Sequence, residues 1–209
     1  MKVAVLHPFF TEAGGAERLS LQLVRALKGL GYEVDLYAVA VNDKAWGILS
    51  DLDPPQPKRL GLGLRSSLSL ALLGRWFPSL SNIIAMEEAV NRFRQLEGYD
   101  LYVETQSNLP LDVDLSYIHF PLIKDLAKLM SIRRAPHERL YTSIVISRAR
   151  KLLGAPRLVL TNSTWTASKI REAYGLEASA ILPAPVDGAM FSLGGRKEDI
   201  VLTVSRIVP

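Results

Sequence analysis

The sequence predicts an α/β fold: a Rossmann-like, doubly wound and mostly parallel sheet with helices on both faces. Three observations carry this expectation. Short runs rich in Val, Leu and Ile recur along the chain, stretches with helical spacing separate them, and glycines close several of those stretches. Strands alternating with helices are the pattern of a parallel sheet covered on both sides.

Residues 2–6 form an apolar run, then a loop over 7–15, then Leu19, Leu23, Leu27 and Leu30 at near-helical spacing. Gly31 suits the left-handed position that closes a helix, and 33–41 reads as the next strand. The alternation then breaks over 42–78, read as an insertion, with an evident loop at Asp53-Pro54-Pro55-Gln56-Pro57. A helix is predicted over 80–96, with Ile83, Ile84, Met86, Ala89, Val90 and Phe93 on one side. Strands follow at 99–104 and 115–119, and helices at 122–130 and 137–153. A strand at 157–161 leads to a helix at 165–174, with Ser163 as N-cap and Gly175 as stop, and 178–182 is the next strand. Residues 194–199 read as a linker and 200–205 as a new strand. The expected division is therefore 1–192 as one domain and 193–209 as a linker and the first strand of a second, truncated domain.

A chain of 209 residues that is 48% hydrophobic buries a real core, which argues against disorder. With no cysteine there is no disulfide, thiolate metal site or cysteine nucleophile, and His7, His119 and His137 are too scattered for a metal motif. No metal and no cofactor is expected. Residues 1–6 read as a strand rather than a secretion signal, so the expected location is cytoplasmic, including the cytoplasmic face of a membrane. The net charge of +4 favours anionic partners, but no nucleic-acid motif is present and nucleic acid is not an expected partner. The apolar stretch 60–85 contains Arg65, Arg75 and Pro78 and fails the criterion of about 20 apolar residues for a membrane span. The composition of 59–85 suits an interfacial segment seated on anionic lipid, and equally a helix packed in the core or beneath another domain.

The first strand-to-helix loop holds the most suggestive chemistry. Thr11-Glu12-Ala13-Gly14-Gly15-Ala16-Glu17-Arg18 sets two glycines at a helix N-terminus beyond a strand's carboxyl end, the ligand crevice of an open α/β sheet. Glycine admits close backbone approach, and the free N–H groups and helix dipole favour phosphate. The loop is neither the spaced-glycine dinucleotide fingerprint nor a P-loop, which counts against a flavin or dinucleotide protein; a plain tight turn fits it as well. Glu17 equally reads as a first-turn carboxylate that complements the dipole. His7 and His119 end predicted strands, and His119 alone also reads as a half-buried strand cap. Glu12 and Glu104 are carboxylates near strand ends, candidates for acceptor hydroxyls or solvated loop charges.

Val5-Leu6-His7-Pro8, Gly14-Gly15-Ala16-Glu17-Arg18 and Gly31-Tyr32-Glu33-Val34 together resemble the opening of the family four retaining glycosyltransferases of GT-B architecture, most closely the mannosyltransferases of lipid-linked oligosaccharide assembly. Ser116-Tyr117-Ile118-His119-Phe120-Pro121 resembles their histidine-bearing strand end. Thr161-Asn162-Ser163-Thr164-Trp165-Thr166-Ala167 with Pro183-Ala184-Pro185-Val186-Asp187 resembles the last strand, helix and turn before the hinge. Four matches in the family's order are more specific than any one.

The resemblance implies an N-terminal, acceptor-side domain of an enzyme that transfers a sugar, expected to be mannose, from a GDP- or UDP-sugar to a lipid-linked or other glycan acceptor with retention. It implies that Gly14 and Gly15 face the donor phosphates or sugar, that His119 is the catalytic-site histidine near the donor sugar, and that Arg206 neutralises the diphosphate. His7, Glu12 and Glu104 are the acceptor-side candidates. The family's lysine, paired glutamates and nucleotide-binding helices would lie beyond Pro209, so this chain alone is expected to be inactive without a C-terminal domain. The alternative is a non-catalytic Rossmann-like module that binds a membrane surface or a protein partner.

Overall fold

A computed structural model describes residues 1–132, 135–186 and 199–203. Among them are nine strands and seven α-helices, and those the sequence predicted between 1 and 186 follow in the expected order. The strands are β1 (Lys2–Leu6), β2 (Phe9–Phe10), β3 (Glu33–Ala38), β4 (Ala40–Val41), β5 (Lys58–Arg59), β6 (Leu101–Glu104), β7 (Leu115–Ile118), β8 (Leu158–Thr161) and β9 (Ala180–Ile181). The helices are α1 (Gly15–Gly29), α2 (Asp43–Leu49), α3 (Leu64–Leu68), α4 (Pro78–Arg94), α5 (Leu122–Ile132), α6 (Pro136–Arg150) and α7 (Thr164–Tyr174).

Seven strands form one sheet in the order β5-β3-β1-β6-β7-β8-β9, and every ladder between them is parallel. Chain direction across the sheet therefore reverses between β1 and β6. This is the doubly wound, Rossmann-like arrangement, and the reversal opens a crevice at the carboxyl ends of β1 and β6. The two-residue strands β2 and β4 pair with each other and carry the chain past the ends of β1 and β3.

The alternation of side chains along β1 builds both faces. Ala4 and Leu6 join the cluster beneath α4 and α6, while Val3 and Val5 pack with Leu21, Val24 and Leu49 of α1 and α2. In α4, Pro78 occupies the first turn, where its missing N–H costs nothing, and Ile83, Met86, Ala89, Val90 and Phe93 are buried as their spacing predicts; Ile84 is only half-buried. Gly31 and Gly175 adopt positive φ at the ends of α1 and α7, and Ser163 caps α7 by accepting from the Thr166 N–H.

Two readings change. The 42–78 stretch is not an insertion that interrupts the alternation: β3, α2 and β5 complete another β-α-β unit, with β5 as an edge strand. Two residues, Lys-Arg, after three prolines carry no apolar pattern, so the edge strand left no periodic signal. At the other end, 199–203 lie in no strand and Ile200, Val201 and Leu202 are exposed; the remainder of the expected strand, with Arg206, lies outside the described residues.

Phe93 is fully buried and meets Tyr37 and Tyr102 edge-on at 5.9 and 5.5 Å between ring centroids. Phe93→Ala is expected to lower unfolding free energy by about 3–5 kcal/mol in urea titrations; a loss under about 1 kcal/mol would contradict this packing.

Candidate functional site

The crevice is built by the chain segments that leave β1, β6, β7 and β8 and by the N-terminus of α1. Its least usual part is the link from β6 to β7. Parallel strands are usually joined through a helix, yet residues 105–114 contain none. A buried irregular segment must find partners for its backbone, and this one does so largely through side chains of its own.

Glu104, the last residue of β6, is fully buried and folds back over the link. Its carboxylate accepts from the Gln106 N–H at 2.6 Å, the Ser107 N–H at 2.5 Å and the Ser107 hydroxyl at 2.6 Å. Burial pushes its pKa up to about 7 despite these donors. Glu104 thus spends both oxygens on the loop, and an acceptor hydroxyl finds neither free. Gln106 binds the Phe9 backbone in both directions, at 2.7 Å from the Phe9 N–H and 2.9 Å to its carbonyl, so the loop is stitched to β2.

Asn108 turns the link with φ of 59°, a left-handed conformation that asparagine tolerates better than most residues. Its side-chain oxygen accepts from the backbone N–H groups of His119 and Phe120 at 2.9 and 3.2 Å, and its carbonyl accepts from the Tyr174 hydroxyl at 2.9 Å. Asn162, just past β8, donates to the His119 carbonyl at 3.0 Å. The residue after β7 is therefore held from two sides.

Thr105 joins the two histidines. His119 Nε2 lies 3.0 Å from the Thr105 carbonyl, which only accepts, so this nitrogen carries the proton and Nδ1 is the acceptor of the neutral ring. His7 Nδ1 lies 2.9 Å from the Thr105 hydroxyl. Burial lowers the pKa of both rings, and both are neutral near pH 7.

His7 is fully buried beneath the start of α1, tilted against Phe10. Its Nε2 has no hydrogen-bond partner among the described residues; Glu17 Oε1 stands 3.9 Å away, too far for a hydrogen bond. A proton on Nε2 faces that carboxylate favourably, whereas a lone pair there would repel it. Glu17 also accepts from the Gly14 N–H at 3.1 Å, and though burial opposes it, the His7 ring and nearby backbone N–H groups draw its pKa below the usual carboxylate value.

Gly14 and Gly15 behave differently. A Cβ on Gly14 would sit 2.8 Å from the Glu17 carboxylate, while one on Gly15 would enter open space. The Glu17 carboxylate takes up the N–H groups of Gly14 and of Glu17 itself, while those of Gly15 and Ala16 precede the first intrahelical bond; Gly15 is exposed, so this part of the helix end is accessible to an anion. Glu12 is exposed in the same loop.

Beside these groups lies a pocket of about 330 Å³. Phe9 and Gln106 to Asn108 form its sheet side, Asn82 and Met86 of α4 and Leu126 of α5 part of its walls. An apolar wall with a few polar groups is the usual make-up of a small-molecule site. Among the described residues, no three His, Asp or Glu side chains are placed to hold a metal ion.

The structure thus brings His7, Gly14, Gly15 and His119 to one crevice, turns Glu104 inward and leaves Glu12 at the rim. Gln106, Ser107 and Asn108 read from sequence as an unspecific polar turn after Glu104; Thr105 and Asn162 were not singled out as site groups, and their signal is position, each directly after a strand's carboxyl end. No known protein family matches the chain, and no curated protein matches it.

Glu104 sets a pH dependence of stability. Its folded pKa is raised from 4.5 to about 7, so the protonated form is the one the fold favours; its stabilising contribution is complete below the unfolded value and is lost as pH rises through 7. Between pH 4.5 and 8 the wild type should lose up to about 3 kcal/mol relative to Glu104→Gln in urea unfolding. Parallel curves for the two proteins would contradict a buried, raised carboxyl.

Proposed function

We propose that the chain is the acceptor-side domain of a glycosyltransferase that moves a sugar, mannose as the leading candidate, from a GDP- or UDP-sugar to a glycan or polyprenyl-diphosphate-linked acceptor. The observation that carries this reading is the accessible N-terminus of α1 at Gly15, set at the sheet's reversal point, with the neutral His119 ring connected to it through Thr105, His7 and Glu17. An anion-receiving helix end next to a hydrogen-bond acceptor suits a ligand with a phosphate and hydroxyls. The order of motifs along the sequence supports the same reading.

In this mechanism the leaving diphosphate gathers charge as the glycosidic bond breaks. The first-turn N–H groups and the α1 dipole stabilise that charge without reorganising, which is how fixed donors lower a barrier. His119 Nδ1, an acceptor because Nε2 is committed to Thr105, holds a sugar hydroxyl and orients the donor. The pocket along Phe9, Asn82 and Met86 receives the acceptor. Proper placement of both substrates supplies much of the remaining acceleration.

The test is transfer from GDP-mannose and UDP-glucose to a short polyprenyl-diphosphate glycan, using the full-length product of the gene. Transfer is expected, reduced about 100-fold or more by Gly15→Val and by His119→Ala. Absence of transfer from either donor, or full activity in both variants, would contradict the reading and favour a non-catalytic binding module.

A further inference from the structure

The segment between β5 and α4 is packed with its polarity reversed. In α3 and the π-helical turn Ser69–Leu73 that continues it, the buried residues are serines: Ser66 is 3% and Ser69 8% exposed, while Leu64 is 75%, Leu68 47% and Leu72 67% exposed. Trp76 follows at 75% and Phe77 at 44%. The inward side is fixed by Glu88 of α4, which accepts from the Gly63 N–H at the start of α3 and from Ser66. Burying serines and exposing leucines costs free energy in water, so the outer face is suited to an apolar phase.

Charge identifies the phase. From Pro54 to Met86 the sequence has no Asp or Glu and four cations, Lys58, Arg59, Arg65 and Arg75. Among the described residues neither Arg65 nor Arg75 is in an ion pair, and Arg75 lies 5.9 Å over the Trp76 ring. Arg65 shares an open groove with Leu68, Leu72 and Arg148, the last paired with Glu87 at 3.3 Å. The hydroxyl of Ser69, at the same groove, is buried with no hydrogen-bond partner among the described residues. Leucine and tryptophan flanked by unpaired arginines is the make-up of a segment that lies in a membrane interface, and no described helix is long and apolar enough to cross one.

We infer that the protein docks on the surface of an anionic lipid bilayer through residues 64–77, with Leu64, Leu68, Leu72, Trp76 and Phe77 in the acyl boundary and Arg65 and Arg75 at the phosphates. Docking is independent of the transfer reaction and is read without it.

The purified chain is sedimented with vesicles of phosphatidylcholine alone and of phosphatidylcholine with an equal part of phosphatidylglycerol. Binding is expected to the second only, with a blue shift in tryptophan emission. Arg65→Glu/Arg75→Glu should weaken partitioning at least about 25-fold, about fivefold for each arginine lost, with circular dichroism unchanged. Trp76→Phe should keep binding but remove the blue shift, although Trp46 and Trp165 remain. The inference is overturned if the chain ignores anionic vesicles, if it binds neutral ones equally, or if the emission shift survives in Trp76→Phe. Self-association through Leu68 and Leu72 without lipid binding overturns it as well.

Discussion

The site depends on a connection that has no helix. Residues 105–114 join two parallel strands through the interior of the crevice, and a buried backbone of that kind stands only if its polar groups are paired. Glu104 and Asn108 do much of this pairing, one holding the start of the loop and the other tying it to the end of β7. Because Thr105 contacts both histidine rings, the loop that needs these partners also fixes the histidines. Fold and site are one set of hydrogen bonds here.

That economy shapes the electrostatics. A half-buried ring at the end of β7 and a buried one after β1 are both kept neutral by desolvation, beside a carboxylate that its neighbours keep ionised. Among the described residues, the positive potential at this end of the sheet is that of the α1 N-terminus, part of which the Glu17 carboxylate already takes up. An anion bound there, as the proposed function requires, would meet fixed dipoles and a neutral ring, with little movement of charge in the protein. Residues 64–77 feed directly into α4, whose Asn82 and Met86 line the pocket, so a bilayer docked there would lie beside the pocket wall.

The sheet and its helices were legible because strongly apolar strands and 3.6-residue spacing leave local traces; Leu101–Glu104 and Leu158–Thr161 fall inside the predicted runs. The edge strand Lys58–Arg59 was not, since an exposed edge imposes no apolar pattern. That Gly14 and Gly15 stand at a helix N-terminus past β1, and His119 past the end of β7, was legible from position along the sequence. The inward turn of Glu104 and the bridging by Thr105 were not, because they depend on a loop conformation set by contacts about a hundred residues apart in sequence, as between His7 and Thr105. The reversed polarity of 64–73 was equally hidden: composition showed leucines and arginines, but only packing shows which side the serines take.

The loop after β6 holds two histidines, kept neutral by burial, near the N-terminal end of α1. The most direct measurement is a pH titration of the histidine ring nitrogens by nitrogen-15 NMR. His119 is expected to carry its proton on Nε2, and both His7 and His119 to titrate below 6.5, the value from which each is lowered. Titration of either ring above 6.5, or a His119 protonated on Nδ1 alone, would contradict it.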